Sequence, residues 1–139
     1  MIILDTNVVS EPMRLNGNPA VQAWLDQQVA ETLYLTTTSL SELLVGIEIL
    51  PEGKRKEGLS IALNELVVRL FGSRILPFDQ QAATLYASLV SRARASGHLI
   101  SVADGQIAAI ANLHGFAVAT RDTAPFIAAG VSVINPWEL

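Results

Sequence analysis

Residues 1–12 read MIILDTNVVSEP: three aliphatic residues, Ile2, Ile3 and Leu4, run straight onto Asp5, Thr6 and Asn7. A short apolar run bounded by polar residues predicts a buried strand over residues 2–4. The strand therefore ends on a carboxylate. In open α/β sheets, ligands sit at the carboxyl ends of the strands, so Asp5 is either a working group or a cap on the following turn. Which of the two it is depends on what else reaches the same edge.

Outward from this strand, the chain alternates strand and helix patterns. Ser10-Glu11-Pro12 predicts a short turn with proline placed as at a helix start. Residues 19–30 carry Val21, Trp24, Leu25 and Val29 at helical spacing, and residues 39–50 do the same with Leu40, Leu43, Leu44 and Ile47. PEGKRKEG (51–58) reads as a turn, and residues 58–71, 80–96 and 101–114 as further helices. TLYLTTTS (32–39), RILPFD (74–79), GFAVAT (115–120) and VSVINPW (131–137) are β-prone. Aliphatic, unalternating strands separated by helices predict an α/β fold, a parallel sheet covered on both faces, as one domain over residues 1–139.

Composition narrows the function. Half of the 139 residues are hydrophobic and 6% are aromatic, so the core is built from Leu, Ile, Val and Ala. A mean hydropathy of +0.40 is high for a soluble monomer and points to surface covered by a partner. No stretch approaches the roughly 18 apolar residues of a membrane span. The N-terminus lacks a basic segment and carries Asp5, so no signal peptide is expected. The absence of cysteine excludes disulfides and thiolate metal sites and suits the cytoplasm. A net charge of −4 argues against broad electrostatic binding of nucleic acid, though not against an enzyme that reaches it through a bound cation. Lys54-Arg55-Lys56 and the pair Arg92 and Arg94 read as solvated helix faces or turns.

Four acids share one kind of position. Asp5 ends the first strand, Glu42 and Asp104 lie just inside helices, and Asp122 follows a strand. In a parallel sheet all four can gather at one edge. Each also has a local explanation. Ser39 to Glu42 and Ser101 to Asp104 match a capping box, and Asp5 or Asp122 could close an Asx turn. Together they are harder to dismiss. Two like charges about 4 Å apart repel by about 4 kcal/mol at an effective dielectric of about 20. A hard divalent ion, Mg²⁺ or Mn²⁺, relieves that repulsion through oxygen ligands. Such a centre activates water and clamps phosphoryl oxygens. Thr6, Asn7 and Thr120 fit as groups that orient carboxylates or water. Arg121 suits a phosphate, a salt bridge or open solvent. His98, in a turn, and His114, at a helix end, suggest no catalytic role, and Trp24 and Trp137 read as packing groups.

The segments ILDTNVVSE, SLSELLVG, SVADGQIAAIA and VATRDT stand in the order and spacing of the PIN domain family, a resemblance covering essentially the whole chain. RILPFD and the terminal NPW add a likeness to the VapC-type toxins of bacterial toxin–antitoxin pairs, the FitB-like subgroup in particular. The resemblance implies a three-layer α/β/α sandwich around a central, mostly parallel sheet. It implies an acidic pocket in which Asp5, Glu42, Asp104 and Asp122 hold Mg²⁺ or Mn²⁺, supported by Thr6 and Thr120. It further implies an endoribonuclease that cuts RNA to stop translation, a homodimer, and a cognate antitoxin that silences it. Operator DNA would be reached only through that antitoxin. One departure stands out: Pro125-Phe126 lies where many PIN sequences have Asp-Phe, so Asp122 would hold that corner alone.

Two readings follow from different classes. One is the metal-dependent ribonuclease toxin. The other is a weakly or non-catalytic PIN module acting mainly in an antitoxin-containing, DNA-binding repressor complex. A phosphoryl-transfer domain with Asp5 as nucleophile fits poorly, because Asn7 stands where a second Asp is needed and no Lys follows Lys56.

Overall fold

The computed structural model describes all residues from Met1 to Leu139. Its centre is a five-stranded, all-parallel sheet in the order β3-β2-β1-β4-β5. The strands are β1 (Ile2–Leu4), β2 (Leu33–Thr36), β3 (Ile75–Leu76), β4 (Ala117–Ala119) and β5 (Val133–Ile134). The opening IIL segment takes the middle place, as its aliphatic character on both faces demands. Alternation along the strands splits the interior in two. Ile3 and Val118 join a cluster with Leu89, Ile107 and Phe126, while Leu4 and Ala119 join one with Val8, Leu35, Leu63 and Phe71.

Helices cover both faces. Helices α1 (Thr6–Ser10), α2 (Pro19–Asp26), α3 (Thr37–Glu48) and α4 (Lys54–Leu66) pack on the Leu4 side. Helices α5 (Gln80–Ala95), α6 (Val102–His114) and α7 (Ala124–Ala128) pack on the Ile3 side. The result is the expected α/β/α sandwich. Helix α6 is the most deeply set, with Ile107 to Ala111 wholly shielded from solvent. No helix is long and apolar enough to cross a membrane.

Several boundaries differ from the sequence reading, each for a local reason. The helix expected over 19–30 stops at Asp26, and Val29 is exposed, because a 3-10 turn over Ala30–Thr32 then feeds the chain into β2. Helix α3 starts at Thr37 because the Thr36 side chain accepts from the Ser39 amide at 3.0 Å and caps the helix first. The basic run 54–56 opens α4 instead of lying in a turn, and α4 ends in a π-helical turn over Val67–Phe71. The five-residue helices α1 and α7 were not anticipated, being too short to show a period. Trp24 and Trp137 pack against the core, as expected.

Helix α6 closes on α5 at Gly105, where a Cβ would stand 2.7 Å from Tyr86 Cε2 and 3.1 Å from Val90 Cγ2. Gly105→Val is therefore expected to destabilise by about 2 kcal/mol through overpacking. Gly58, in α4, has no neighbouring atom within 4 Å of the same point, and Gly58→Ala is expected to stabilise by up to about 1 kcal/mol. Urea unfolding of both variants checks the opposite signs.

Candidate active site

The register of the sheet sets the first contact. Leu4 of β1 lies opposite Ala119 of β4, so Asp5 and Thr120 leave the two strands side by side. The Asp5 amide still donates to the Ala119 carbonyl at 2.9 Å, and the chain then turns into α1. Asp5 caps that helix: one carboxylate oxygen accepts from the Thr6 amide at 2.8 Å. The other accepts from Thr120 Oγ1 at 2.7 Å. Asp5 is thus both a cap and part of a longer network.

Thr120 passes the connection on. Its hydroxyl accepts from the Asp122 amide at 3.0 Å and from Asn7 Nδ2 at 3.5 Å. Asn7 Oδ1 in turn accepts from the Arg121 amide at 3.3 Å. Asn7 and Thr120 therefore pin the loop after β4 to the loop after β1. On the other side, Thr6 Oγ1 donates to Glu42 Oε1 at 2.9 Å. With the cap of α3 at Thr36, Glu42 lies in the second turn of that helix, away from any capping role. Asp104 does fall at the third position of α6, where Ser101 Oγ accepts from its amide at 3.2 Å. Thr38 Oγ1 donates to Gln106 Oε1 at 2.9 Å and ties α3 to α6, the helices that carry Glu42 and Asp104.

The electrostatics single out the same residues. Burial pushes the Asp5 carboxyl from 3.8 up to about 6, with Asp104 and Glu42 adding to the rise and the bonds from Thr120 and Thr6 opposing it. Burial also raises Asp104, and Asp122 and Glu42 push the same way. Asp104 thus acts on Asp5 and is itself raised by Asp122 and Glu42. The chain has two ion pairs, Arg14 with Glu11 and Lys56 with Glu52, and neither involves these four carboxylates. The acids are left without a cationic side chain.

Two expectations need correction or refinement. No group of three or more His, Cys, Asp or Glu side chains is drawn in tightly enough to close on one ion. Asp5 is buried and Asp104 partly so, while Glu42 and Asp122 are exposed. Of the readings open for Arg121, the salt bridge does not form: its guanidinium carbon lies 5.3 Å from the centre of the Trp137 ring, a cation–π contact. Two cavities open beside the acids. One of about 810 Å³ is bordered by Thr6 and Glu42, and one of about 400 Å³ by Asp104 and Asp122.

The PIN domain description matches residues 2–131. The chain belongs to the PIN domain family. It is 50% identical to the plasmid stability protein StbB of Pseudomonas syringae pv. tomato over 99% of each chain. Identity is 49% with the VapC ribonuclease Y4jK of Sinorhizobium fredii and 48% with the toxin FitB of Neisseria gonorrhoeae, again over 99% of each. A solved structure of FitAB bound to an IR36 DNA fragment superposes with a TM-score of 0.96 at 47% identity, covering 100% of this chain and 97% of that one.

Within this PIN domain, sequence reasoning overlooked Glu11. Its carboxylate is buried, accepts from the Asn18 amide at 2.9 Å and lies 3.6 Å from Arg14, so it closes the turn that borders the larger cavity. A Cβ on Gly17 would sit 2.5 Å from the Glu11 carbonyl oxygen, so the turn requires glycine there. Glu11 was legible only as one member of the SEP turn, since a buried carboxylate with a backbone partner leaves no pattern of its own.

The raised pKa of Asp5 makes a sign-specific expectation. The ionised form is the costly one in the fold, so the penalty is absent well below pH 4, grows as pH rises, and levels off above about 6. Going from 3.8 to about 6 corresponds to about 3 kcal/mol at neutral pH. In EDTA, urea unfolding is expected to show the stability of Asp5→Asn gaining on the unmutated protein between pH 4 and pH 7, by at most that amount. A difference that does not change with pH would contradict this reading of Asp5.

Proposed function

We propose that the protein is a metal-dependent endoribonuclease, the toxin of a type II toxin–antitoxin pair. The observation that carries the reading is a set of four acids at one sheet edge with no cationic partner, on a chain about half identical to a VapC ribonuclease and to toxin FitB. The donor set is all carboxylate, with neither nitrogen nor sulfur, and this suits Mg²⁺ or Mn²⁺. Asp5, Glu42, Asp104 and Asp122 would hold the ion. When bound, it would lower the pKa of a water and neutralise phosphate charge.

The chain's own residues supply the rest. Thr120 and the Thr6 amide fix the Asp5 carboxylate, leaving it one orientation. The Thr6 hydroxyl holds Glu42 toward it. A carboxylate in this pocket takes the proton of the attacking water as that oxygen adds to phosphorus. The bond from phosphorus to the 3′ oxygen breaks, that oxygen takes a proton from solvent, and the products are a 5′-phosphate and a 3′-hydroxyl. The partners of this reading are an RNA substrate, a second copy of the chain, and a cognate antitoxin through which operator DNA is reached, in the cytoplasm. A partner of this kind would cover the exposed apolar side chains Val45, Ile49 and Ile61.

Purified protein free of antitoxin is expected to cut total cellular RNA into discrete fragments with Mg²⁺ or Mn²⁺, and to leave it whole in EDTA or as Asp5→Asn. Thr120→Val keeps the shape but removes the hydroxyl, and a fall in kcat of at least tenfold is expected, the size of a lost orienting bond. A folded, metal-supplied protein that cuts no RNA would instead favour the repressor-complex reading, in keeping with the FitAB structure on DNA.

A further inference from the structure

Three helices on one face end in the same way. Helices α5, α6 and α7 each close on a left-handed glycine, Gly97 (φ 84°), Gly115 (φ 69°) and Gly130 (φ 77°). In each, the amide after the glycine reaches back five residues: His98 to the Ala93 carbonyl at 2.8 Å, Phe116 to Ala111 at 3.0 Å and Val131 to Phe126 at 3.0 Å. This is the Schellman turn, whose last residue usually makes an apolar contact with the helix it closes. Phe116 and Val131 follow the rule. Phe116 packs against the cluster that holds Ile107 to Ala111 of α6, with its ring tilted beside Tyr34 at 4.8 Å between centres, and Val131 is buried.

His98 breaks it. At the position where the turn favours an apolar anchor stands an exposed imidazole. Its backbone is held rigidly by the two bonds of the turn, His98 to Ala93 and Gly97 to Arg94 at 3.0 Å. The side chain borders the 400 Å³ cavity together with Ile100, Ser101, Asp104, Asp122 and Pro125. One wall of this cavity is thus acidic, and Leu99, Ile100, Ala124, Pro125 and Ala128 supply apolar lining. Pro125 contributes an apolar surface where an acid would repel a nucleic acid.

We infer that this cavity is a subsite for one nucleoside of a single-stranded RNA, with His98 as the side chain on which its base stacks. The inference rests on the ribonuclease reading and adds where the strand lies beside the acids. Proteins that read unpaired RNA splay bases onto aromatic side chains, histidine included, and hydrogen-bond their edges. His98 offers both a flat ring and one donor and one acceptor in its neutral form. Ile100 and Pro125 provide the apolar surface a base prefers, and the presence of Asp104 and Asp122 in the same cavity sets a base bound there beside the proposed reacting centre. His98 is therefore a specificity-determining residue, distinct from the carboxylates.

The test pairs binding with cleavage. A short fluorescein-labelled, single-stranded oligoribonucleotide of mixed sequence is titrated with the protein in Ca²⁺ at low salt and followed by anisotropy, while cleavage positions on total RNA are mapped in parallel with Mg²⁺. His98→Ala is expected to raise Kd by about tenfold, the effect of one lost base stack, and to alter the pattern of cut sites at unchanged thermal stability. His98→Phe, which keeps the stack, is expected to recover most of the affinity. Unchanged Kd and cut sites in His98→Ala, with the unmutated protein active, would overturn the subsite and leave the ribonuclease standing. Binding that depends on His98 without any cleavage would do the reverse. An unmutated protein that does not bind the oligonucleotide at all would overturn the subsite too.

Discussion

A carboxylate is buried where two neighbouring parallel strands end, and the rest of the site is arranged around that fact. Isolated charge inside a protein is expensive, so a buried acid must be hydrogen-bonded, protonated or paired with a cation. Asp5 has the hydrogen bonds, from Thr6 and Thr120, and still has its pKa pushed up to about 6. It has no cationic side chain. The two bonds also do structural duty, because Thr6 begins α1 and Thr120 is the first residue after β4. Holding Asp5 in place therefore holds the two loops together, and through Thr120 and Asn7 the constraint extends to Asp122.

The second half of the site is set by helices, not by the sheet. Glu42 and Asp104 ride on α3 and α6, which meet through the Thr38–Gln106 bond, while the Thr6–Glu42 bond ties α3 to α1. Helix α6 is fixed in depth by Gly105, which lets it approach Tyr86, and by a run of fully buried residues behind it. Small side chains at these points decide where the acid arrives. The spacing between the four carboxylates follows from the packing behind them.

Much of this was legible in the sequence because it follows from patterns that repeat. The aliphatic run at Ile2–Leu4 marked a central parallel strand, and the acids at strand ends and helix starts marked a candidate functional edge. What was hidden depends on competition between similar signals. Thr36, Thr37, Thr38 and Ser39 are all good caps, and the choice of Thr36 turned on the strand ending there, not on the capping-box pattern at Ser39. Arg121 suited a phosphate, a salt bridge or open solvent, but the nearby Trp137 ring, distant by only sixteen residues yet on the far side of β5, captures its guanidinium. His98 carried no sequence signal beyond the glycine before it. Its meaning came from comparison with two other helix ends of the same geometry.

The acids around Asp5 have no cationic side chain to pair with, and the proposed function requires that they bind one divalent ion together. Isothermal calorimetry of Mn²⁺ binding to the metal-free protein at neutral pH tests it most directly. Saturable binding that is lost in Asp5→Asn, with the fold intact, is the predicted result. No binding to the unmutated protein, or binding that Asp5→Asn leaves unchanged, would contradict it.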